Sequence, residues 1–403
     1  MWQKEINIRE VFELRTRTTD YFGVGAINKM TDVAAGLKKM GVDKVIVMTG
    51  GSSYKRTGAW DAVKAALDGN HIEYVLYNGV TPNPTDTQVD QATAAAREFG
   101  AQAVIGIGGG SPIDAAKSTA ILLCYPQHTA QNLYEFTFTP EKAVPVVAIN
   151  TTHGTGTQVN RFAVVTISSK EYKPAIAYDC IYPVYAIDDP GLMTGLPPNQ
   201  TRYVSIDAVN HVTEAATTLV AGPYVMMMAK ETVRLVAENL PKALENPADL
   251  NARYYLAYAA AIAGIAFDNG LLHFTHALEH PLSAVKPDLA HGLGLAMILP
   301  AVLKEIYAAK PKTLADLYAP VVPGLKGEPE EADKLAKGVE DWLFSLGIDR
   351  KLADEGYTEA DIDKLVRLAQ TTPSLGLLLS MAPVKADETV IRRIFTNSLH
   401  RMR

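Results

Sequence analysis

Asp207 and His211 lie four apart in Ser205-Ile-Asp-Ala-Val-Asn-His, a spacing that puts a carboxylate and an imidazole on one face of a helix, one turn apart. His276 and His280 repeat the spacing, and His291 follows Pro287-Asp288, a pair suited to a helix start. Five of the nine histidines, His273 included, fall in this part of the chain. One histidine on an apolar helix is ordinarily a core residue. A carboxylate with several imidazoles at this spacing instead reads as a metal site. One carboxylate and three imidazoles suit Fe²⁺ or Zn²⁺ and leave room for a substrate oxygen.

Upstream, the chain runs from an apolar strand through Gly108-Gly109-Gly110-Ser111 into a helix that carries Pro112, Asp114 and Lys117. Glycine there accepts positive φ and lets a pyrophosphate approach the backbone N–H groups at the helix N-terminus. The order is not the G-x-G-x-x-G fingerprint, so the fold is a cousin of the Rossmann class. A second turn, Thr49-Gly50-Gly51-Ser52-Ser53-Tyr54-Lys55-Arg56, follows another apolar run. It lacks the acid that bonds a ribose 2′-hydroxyl and offers hydroxyls and cations suited to a 2′-phosphate. Gly50, Gly51, Ser52 and Ser53 are therefore assigned to NADP(H), with NAD(H) the alternative. A nucleotide and a metal in one chain point to hydride chemistry.

The elements that must position these residues divide the chain in two. Short β-branched runs (45–48, 74–77, 103–107, 144–149) alternate with helical stretches (58–67, 85–99, 112–123), which implies a parallel sheet with helices on both faces. Beyond Pro197-Pro198 the pattern becomes long Ala- and Leu-rich helical stretches, broken by Pro or Gly at 222–223, 281, 287, 300 and 323–324. The expectation is an α/β dinucleotide-binding domain over 1–190 and an all-helical, metal-binding domain over 191–403.

With 403 residues, 48% apolar and 20% charged, the chain has the composition of a globular protein, and a net charge of −6 gives no footprint for nucleic acid or an anionic membrane surface. Cys124 and Cys180 show no CxxC spacing and fit a reducing cytoplasm. Met1 to Glu5 is followed by charged residues rather than the apolar core of a secretion signal. The uncharged run between Arg253 and Asp268 is too short to span a bilayer.

Taken together, Gly108-Gly-Gly-Ser-Pro-Ile-Asp114-Ala-Ala-Lys117, Asn150-Thr-Thr-His-Gly-Thr-Gly156, Ile206-Asp-Ala-Val-Asn-His-Val-Thr-Glu214 and His276-Ala-Leu-Glu-His280-Pro-Leu resemble the iron-containing (group III) alcohol dehydrogenases over nearly the whole chain. The resemblance implies a dehydroquinate synthase-like architecture with the active site between the domains, and dimers or larger assemblies. It makes Asp207, His211, His276 and His291 the metal ligands, with His280 nearby but unbound. It assigns Gly108, Gly109, Gly110, Ser111 and Asp114 of the glycine motif, the threonines Thr151, Thr152 and Thr155, and Lys173 as a ribose contact, to the cofactor. His153 stands where the family usually has Ala and His273 where it often has Gly. Each adds a proton relay or fills space. The gap from His280 to His291 is one residue longer than the family spacing.

The reaction this implies is hydride transfer between a primary alcohol, by default a short one, or its aldehyde and the nicotinamide. The metal acts as Lewis acid and His280 as proton relay. Phe162, Phe267 and Phe274 are candidates for the pocket wall. The rivals are a hydroxyacid–oxoacid transhydrogenase that retains its cofactor, a sugar-phosphate cyclase-like lyase, and a binding protein without turnover. The lyase needs cations for a substrate phosphate, and Lys230, Arg234, Lys242, Arg253 and Lys286 all lie more than a turn from the ligands in sequence.

Overall fold

The computed structural model describes residues 13–402, so Met1 to Glu5 lie outside it. Six strands form one parallel sheet in the order β1-β8-β5-β4-β2-β3. They are β1 (Thr19–Phe22), β2 (Lys44–Thr49), β3 (Glu73–Tyr77), β4 (Ala103–Gly108), β5 (Val146–Asn150) and β8 (Tyr185–Asp188). A separate antiparallel pair, β6 (Phe162–Val164) and β7 (Ala175–Ala177), follows β5 in the chain. Along β2, Val45 and Val47 face one layer of core, and Ile46 and Met48 the other. A strand covered on both faces must be apolar at every position, which is why β2 and β4 read as continuous apolar runs.

On one face pack the helices α1 (Met30–Lys39) and α3 (Ala59–Gly69). On the other lie α4 (Asp86–Phe99), α5 (Gly110–Cys124) and the short α6 (Ala130–Tyr134), while α2 (Ser53–Arg56) is a single turn after β2. Thr85 and Gln88 form a capping box on α4, and Gly100 ends that helix at φ 79°. The register sets Gly108 level with Asn150 and Asn150 level with Asp188. The carboxyl ends of the central strands therefore lie level with one another, at the end of the sheet where parallel sheets bind ligands.

Past Asp188 the chain becomes helical: α7 (Pro198–Ala215), α8 (Pro223–Glu245), α9 (Leu250–Gly270), α10 (Phe274–Val285) and α11 (His291–Ile306), then further helices to Ser398, around one core from Ile206 to Leu399. Pro281 and Pro300, expected to break helices, lie inside α10 and α11, as Pro241 does inside α8. Each forfeits a backbone hydrogen bond and crowds the preceding turn. Both Pro281 and Pro300 sit in helices whose flanks are buried, and that packing holds the helix through them. The stretch His291–Ala309 is long and apolar enough to cross a membrane, but 78% of it is buried in this core.

The two parts meet in backbone contact. Gly156, at φ 62° in the loop after β5, lies so near α9 that a Cβ on it would sit 2.4 Å from Cα of Gly264. No larger residue fits at either position without moving a backbone.

Candidate active site

Between β4 and α5, Gly109 is an N-cap without a side-chain cap bond, so the first N–H groups of this 15-residue helix are left for a ligand. The threonine loop packs directly on this turn: a Cβ on Gly109 would come within 2.9 Å of Thr152, and one on Gly110 within 2.7 Å of Thr155. Thr151 N donates to Gly108 O (2.9 Å) and extends the β4–β5 ladder into the loop. Asp114 is turned toward the loop itself. Its oxygens accept from Thr157 Oγ1 (2.7 Å) and Val164 N (2.9 Å), and burial raises its pKa to about 6. Beside it the buried Lys117 donates to Thr157 O (2.6 Å), Asn160 O (2.9 Å) and Phe162 O (2.7 Å). Burial lowers its pKa to about 7 against the pull of Asp114.

The second turn, Gly50 to Ser53, leaves β2 at the same end of the sheet. Gly51 and Ser52 are exposed, Arg56 reaches Ser52 Oγ, and the exposed Lys55 lies with its Nζ 5.6 Å from the ring centre of Tyr54. Gly50 has a reason of its own: a Cβ there would lie 2.4 Å from Val80 O, across the bridge that pairs Gly50 with Gly79.

The metal constellation comes from three helices. Asp207 and His211 project from α7, His276 from α10, and His291 is the first residue of α11. Oδ1 of Asp207 lies 3.5 Å from Nε2 of His211, 3.5 Å from Nε2 of His276 and 3.9 Å from Nε2 of His291. Ligands about 2.0–2.2 Å from a tetrahedral ion stand roughly 3.3–3.6 Å apart, so this spacing fits a shared cation. Asp207 Oδ1 and His276 Nε2 are also buried with no hydrogen-bond partner, which is costly unless a cation satisfies both. Burial opposes charge on Asp207, but the imidazoles around it, His211 first, outweigh burial and hold its pKa at about 2. Burial likewise opposes charge on His276, and Glu214 with Asp207 lifts its pKa to about 10. The field favours positive charge at Nε2.

Two carboxylates that sequence reasoning missed orient these rings. Glu214 Oε2 pairs with Nδ1 of His276, and its Oε1 accepts from the backbone N–H of His273 (2.9 Å) and His276 (3.2 Å). Glu279 pairs with Nδ1 of His291. Each fixes the tautomer that turns Nε2 inward. The signal was helical spacing, since Glu214 follows Asp207 by seven and His211 by three, and Glu279 follows His276 by three. Glu279, His280 and His291 also cluster closely enough to hold an ion. There, however, the carboxylate already faces Nζ of Lys173 at 3.5 Å, which weakens any second cation site.

His280 stands beside the constellation, with its ring centre 5.8 Å from that of His291 and 6.3 Å from that of His276. Its Nδ1 is buried without a partner, and burial, aided by Lys173, holds it neutral. Lys173 donates to Asn83 Oδ1 (2.9 Å) and Ser283 Oγ (2.8 Å), so a ribose contact needs one of its protein partners released. Of the two readings for His153, space-filling fits. The ring is fully buried between Ser205 Oγ (3.1 Å) and Arg253 Nη1 (2.9 Å), and burial, then Arg253, lowers its pKa to about 3. His273 is the N-cap of α10, its Nδ1 accepting from Phe274 N (2.6 Å) and its Nε2 meeting Thr217 Oγ1 (2.8 Å). Phe267 stacks on His211 at 4.5 Å and Phe162 leans on Phe267 at 5.2 Å, whereas Phe274 is wholly buried against His273.

Residues 18–190 match the family described as iron-containing alcohol dehydrogenase, and residues 201–398 the Fe-containing alcohol dehydrogenase family, C-terminal. The chain is 61% identical to the long-chain primary alcohol dehydrogenase AdhA of Thermoanaerobacter ethanolicus, over 99% of this chain and 100% of that one. It is 30% identical to the NADPH-dependent butanol dehydrogenase of Clostridium saccharobutylicum, over 93% of this chain and 95% of that one. Its fold superposes on the NADH-dependent butanol dehydrogenase A of Thermotoga maritima with a TM-score of 0.88, at 30% identity, covering 96% of this chain and 98% of that one.

Proposed function

The chain belongs to the iron-containing alcohol dehydrogenase family, and on that premise we propose that it interconverts long-chain primary alcohols and their aldehydes with NADP(H) and one divalent cation, Fe²⁺ or Zn²⁺. The observation that carries the reading is the pair of buried, partnerless atoms, Asp207 Oδ1 and His276 Nε2, 3.5 Å apart. Asp207, His211, His276 and His291 hold the cation. When bound, the cation supplies Lewis acidity toward the alcohol oxygen and the nicotinamide accepts or returns hydride.

The protein's own residues do the rest. Glu214 and Glu279 keep the Nδ1 protons of His276 and His291, so both Nε2 lone pairs point at the shared locus. His280 Nδ1, buried without a partner beside the constellation, is the relay for the alcohol proton; burial and Lys173 disfavour its charged form, so it would pass the proton on rather than hold it. Gly108 to Ser111 and the loop of Thr151, Thr152 and Thr155 cradle the pyrophosphate. Phe162 and Phe267 wall the ring of His211 with apolar surface, which suits an alkyl chain. The name of the AdhA relative moves the expected substrate from a short alcohol to a long one.

The choice of NADP(H) rests on Ser52, Ser53, Lys55 and Arg56, because backbone crowding at Val80 alone accounts for Gly50. The two butanol dehydrogenases named above differ in this choice. A cytoplasmic, self-associating enzyme completes the proposal, supported by two free cysteines and by the place of β1 at the end of the sheet among the described residues. The test is oxidation of primary alcohols of increasing chain length by protein reconstituted with Fe²⁺ or Zn²⁺, with NADP⁺ against NAD⁺. Turnover that rises with chain length and favours NADP⁺ supports the reading. Turnover with NAD⁺ alone discards the phosphate pocket, and none at all discards the reaction.

A further inference from the structure

We propose that the metal site is completed across the domain boundary: Asn83 and Lys173 of the α/β part are positioning residues that fix His291, through Glu279 and through the loop before α11. The inference rests on the metal-site reading above.

His291 is the ligand least held by its own helix. Asp207, His211 and His276 lie within α7 and α10 and are buried, whereas His291 opens α11 and its side chain is 25% exposed. Its N-cap, Ala290, gives no side-chain bond. The turn between α10 and α11 therefore sets where Nε2 falls.

That turn is gripped from the other domain. Asn83, in the loop between β3 and α4, donates from Nδ2 to Pro287 O (2.8 Å) and Leu289 O (3.3 Å). Its backbone sits at φ 52°, a left-handed conformation that Asn tolerates better than most side chains. The other end of the same amide, Oδ1, accepts from Lys173 Nζ (2.9 Å). An ammonium has three donors, and those of Lys173 meet Asn83, Ser283 Oγ (2.8 Å) and Glu279 Oε2 (3.5 Å). Glu279 Oε2 is the atom that takes Nδ1 of His291.

Both routes from the α/β part thus end on one ligand. One holds its backbone through the carbonyls of 287 and 289, and the other holds its ring through a carboxylate that Lys173 keeps in place. Lys173 is 4% exposed, a buried charge that requires its partners. Metal affinity is accordingly a property of domain docking, and metal binding reciprocally tightens the docking.

Co²⁺ titrated into the full-length metal-free protein, with a competing chelator, reads both affinity and ligand geometry through the visible bands. Asn83→Gly, which keeps the left-handed backbone, and Lys173→Met are each expected to weaken Co²⁺ by about tenfold or more and to shift the bands, as loss of outer-sphere partners does. Glu279→Gln, which keeps an acceptor for His291, is expected to lose less than Glu279→Ala. Lys364→Ala, which breaks a different pair between the parts (Lys364–Glu171, 2.7 Å), should leave affinity and bands unchanged. If Lys173→Met fails to fold, the half-buried Asn83→Gly decides alone. Wild-type affinity and bands in Asn83→Gly and Lys173→Met overturn the clamp, and so does an equal loss in Lys364→Ala. Wild-type protein that takes up no Co²⁺ overturns the metal site and the clamp with it.

Discussion

Nδ1 of His276 donates to the carboxylate of Glu214, which lies two turns beyond Asp207 on the same helix. One face of α7 thus carries a ligand, a second ligand and the group that orients a third. The other oxygen of Glu214 accepts two N–H groups at the start of α10, so it also anchors the helix that bears His276.

Glu214→Ala should therefore weaken metal binding by roughly 10–100-fold, the usual effect of losing an outer-sphere partner. It should also lower the thermal midpoint of the metal-free protein, because buried N–H groups lose their acceptor. Chelator competition and calorimetry on the same preparation check both effects. Unchanged metal affinity would remove Glu214 from the site.

His280→Ala is expected to keep its metal and to oxidise alcohol on the order of 10²-fold more slowly at neutral pH, the lower range for loss of a general acid or base. Metal content by atomic absorption, measured beside kcat, separates this from loss of the ion. An unaltered pH–rate profile would end the relay role.

Arg56→Ala should raise KM for NADP⁺ by about tenfold and leave KM for NAD⁺ within about twofold, because a guanidinium pays a phosphate far more than a hydroxyl. Initial rates with the two cofactors settle it, and equal effects on both would make the loop a general surface rather than a phosphate pocket.

Asp20 on β1 and Asp188 on the neighbouring β8 hydrogen-bond one another, and Asp188 also accepts from Asn150 (2.7 Å) and Gln158 (2.7 Å). Burial, then the charge of Asp188, raises Asp20 to about 9. The folded protein therefore keeps a proton that the unfolded chain has lost above about pH 4. This pair's contribution is complete below that pH and declines as pH rises toward 9. Asp20→Asn, which carries that hydrogen permanently, should melt higher than wild type at pH 8 and close to it at pH 4. Melting curves at the two pH values that run parallel would refute the shared proton.

The strands β2, β4 and β5 were legible because burial on both faces leaves only apolar residues. β1, with an aspartate in Thr-Asp-Tyr-Phe, and the three- and four-residue strands β6, β7 and β8 carry too little pattern to be seen. Prolines 281 and 300 misled because helix propensity is local and the packing that overrides it is not. The ligand helices announced themselves through four-residue spacing. Glu214 and Glu279 did not, since a glutamate on a helix is ordinarily solvated, and only the approach of α7, α10 and α11 buries these two. Asn83 was invisible for a plainer reason: its partners lie 90 residues away at Lys173 and more than 200 away at Pro287 and Leu289.

The contact between Gly156 and Gly264 has a mechanical meaning. Two backbones that meet with no side chain between them cannot slide past one another, because each would climb over the peptide units of the other. A side chain added at either glycine would therefore have to wedge the two parts of the chain apart, and the seam keeps its closeness only while both positions stay bare.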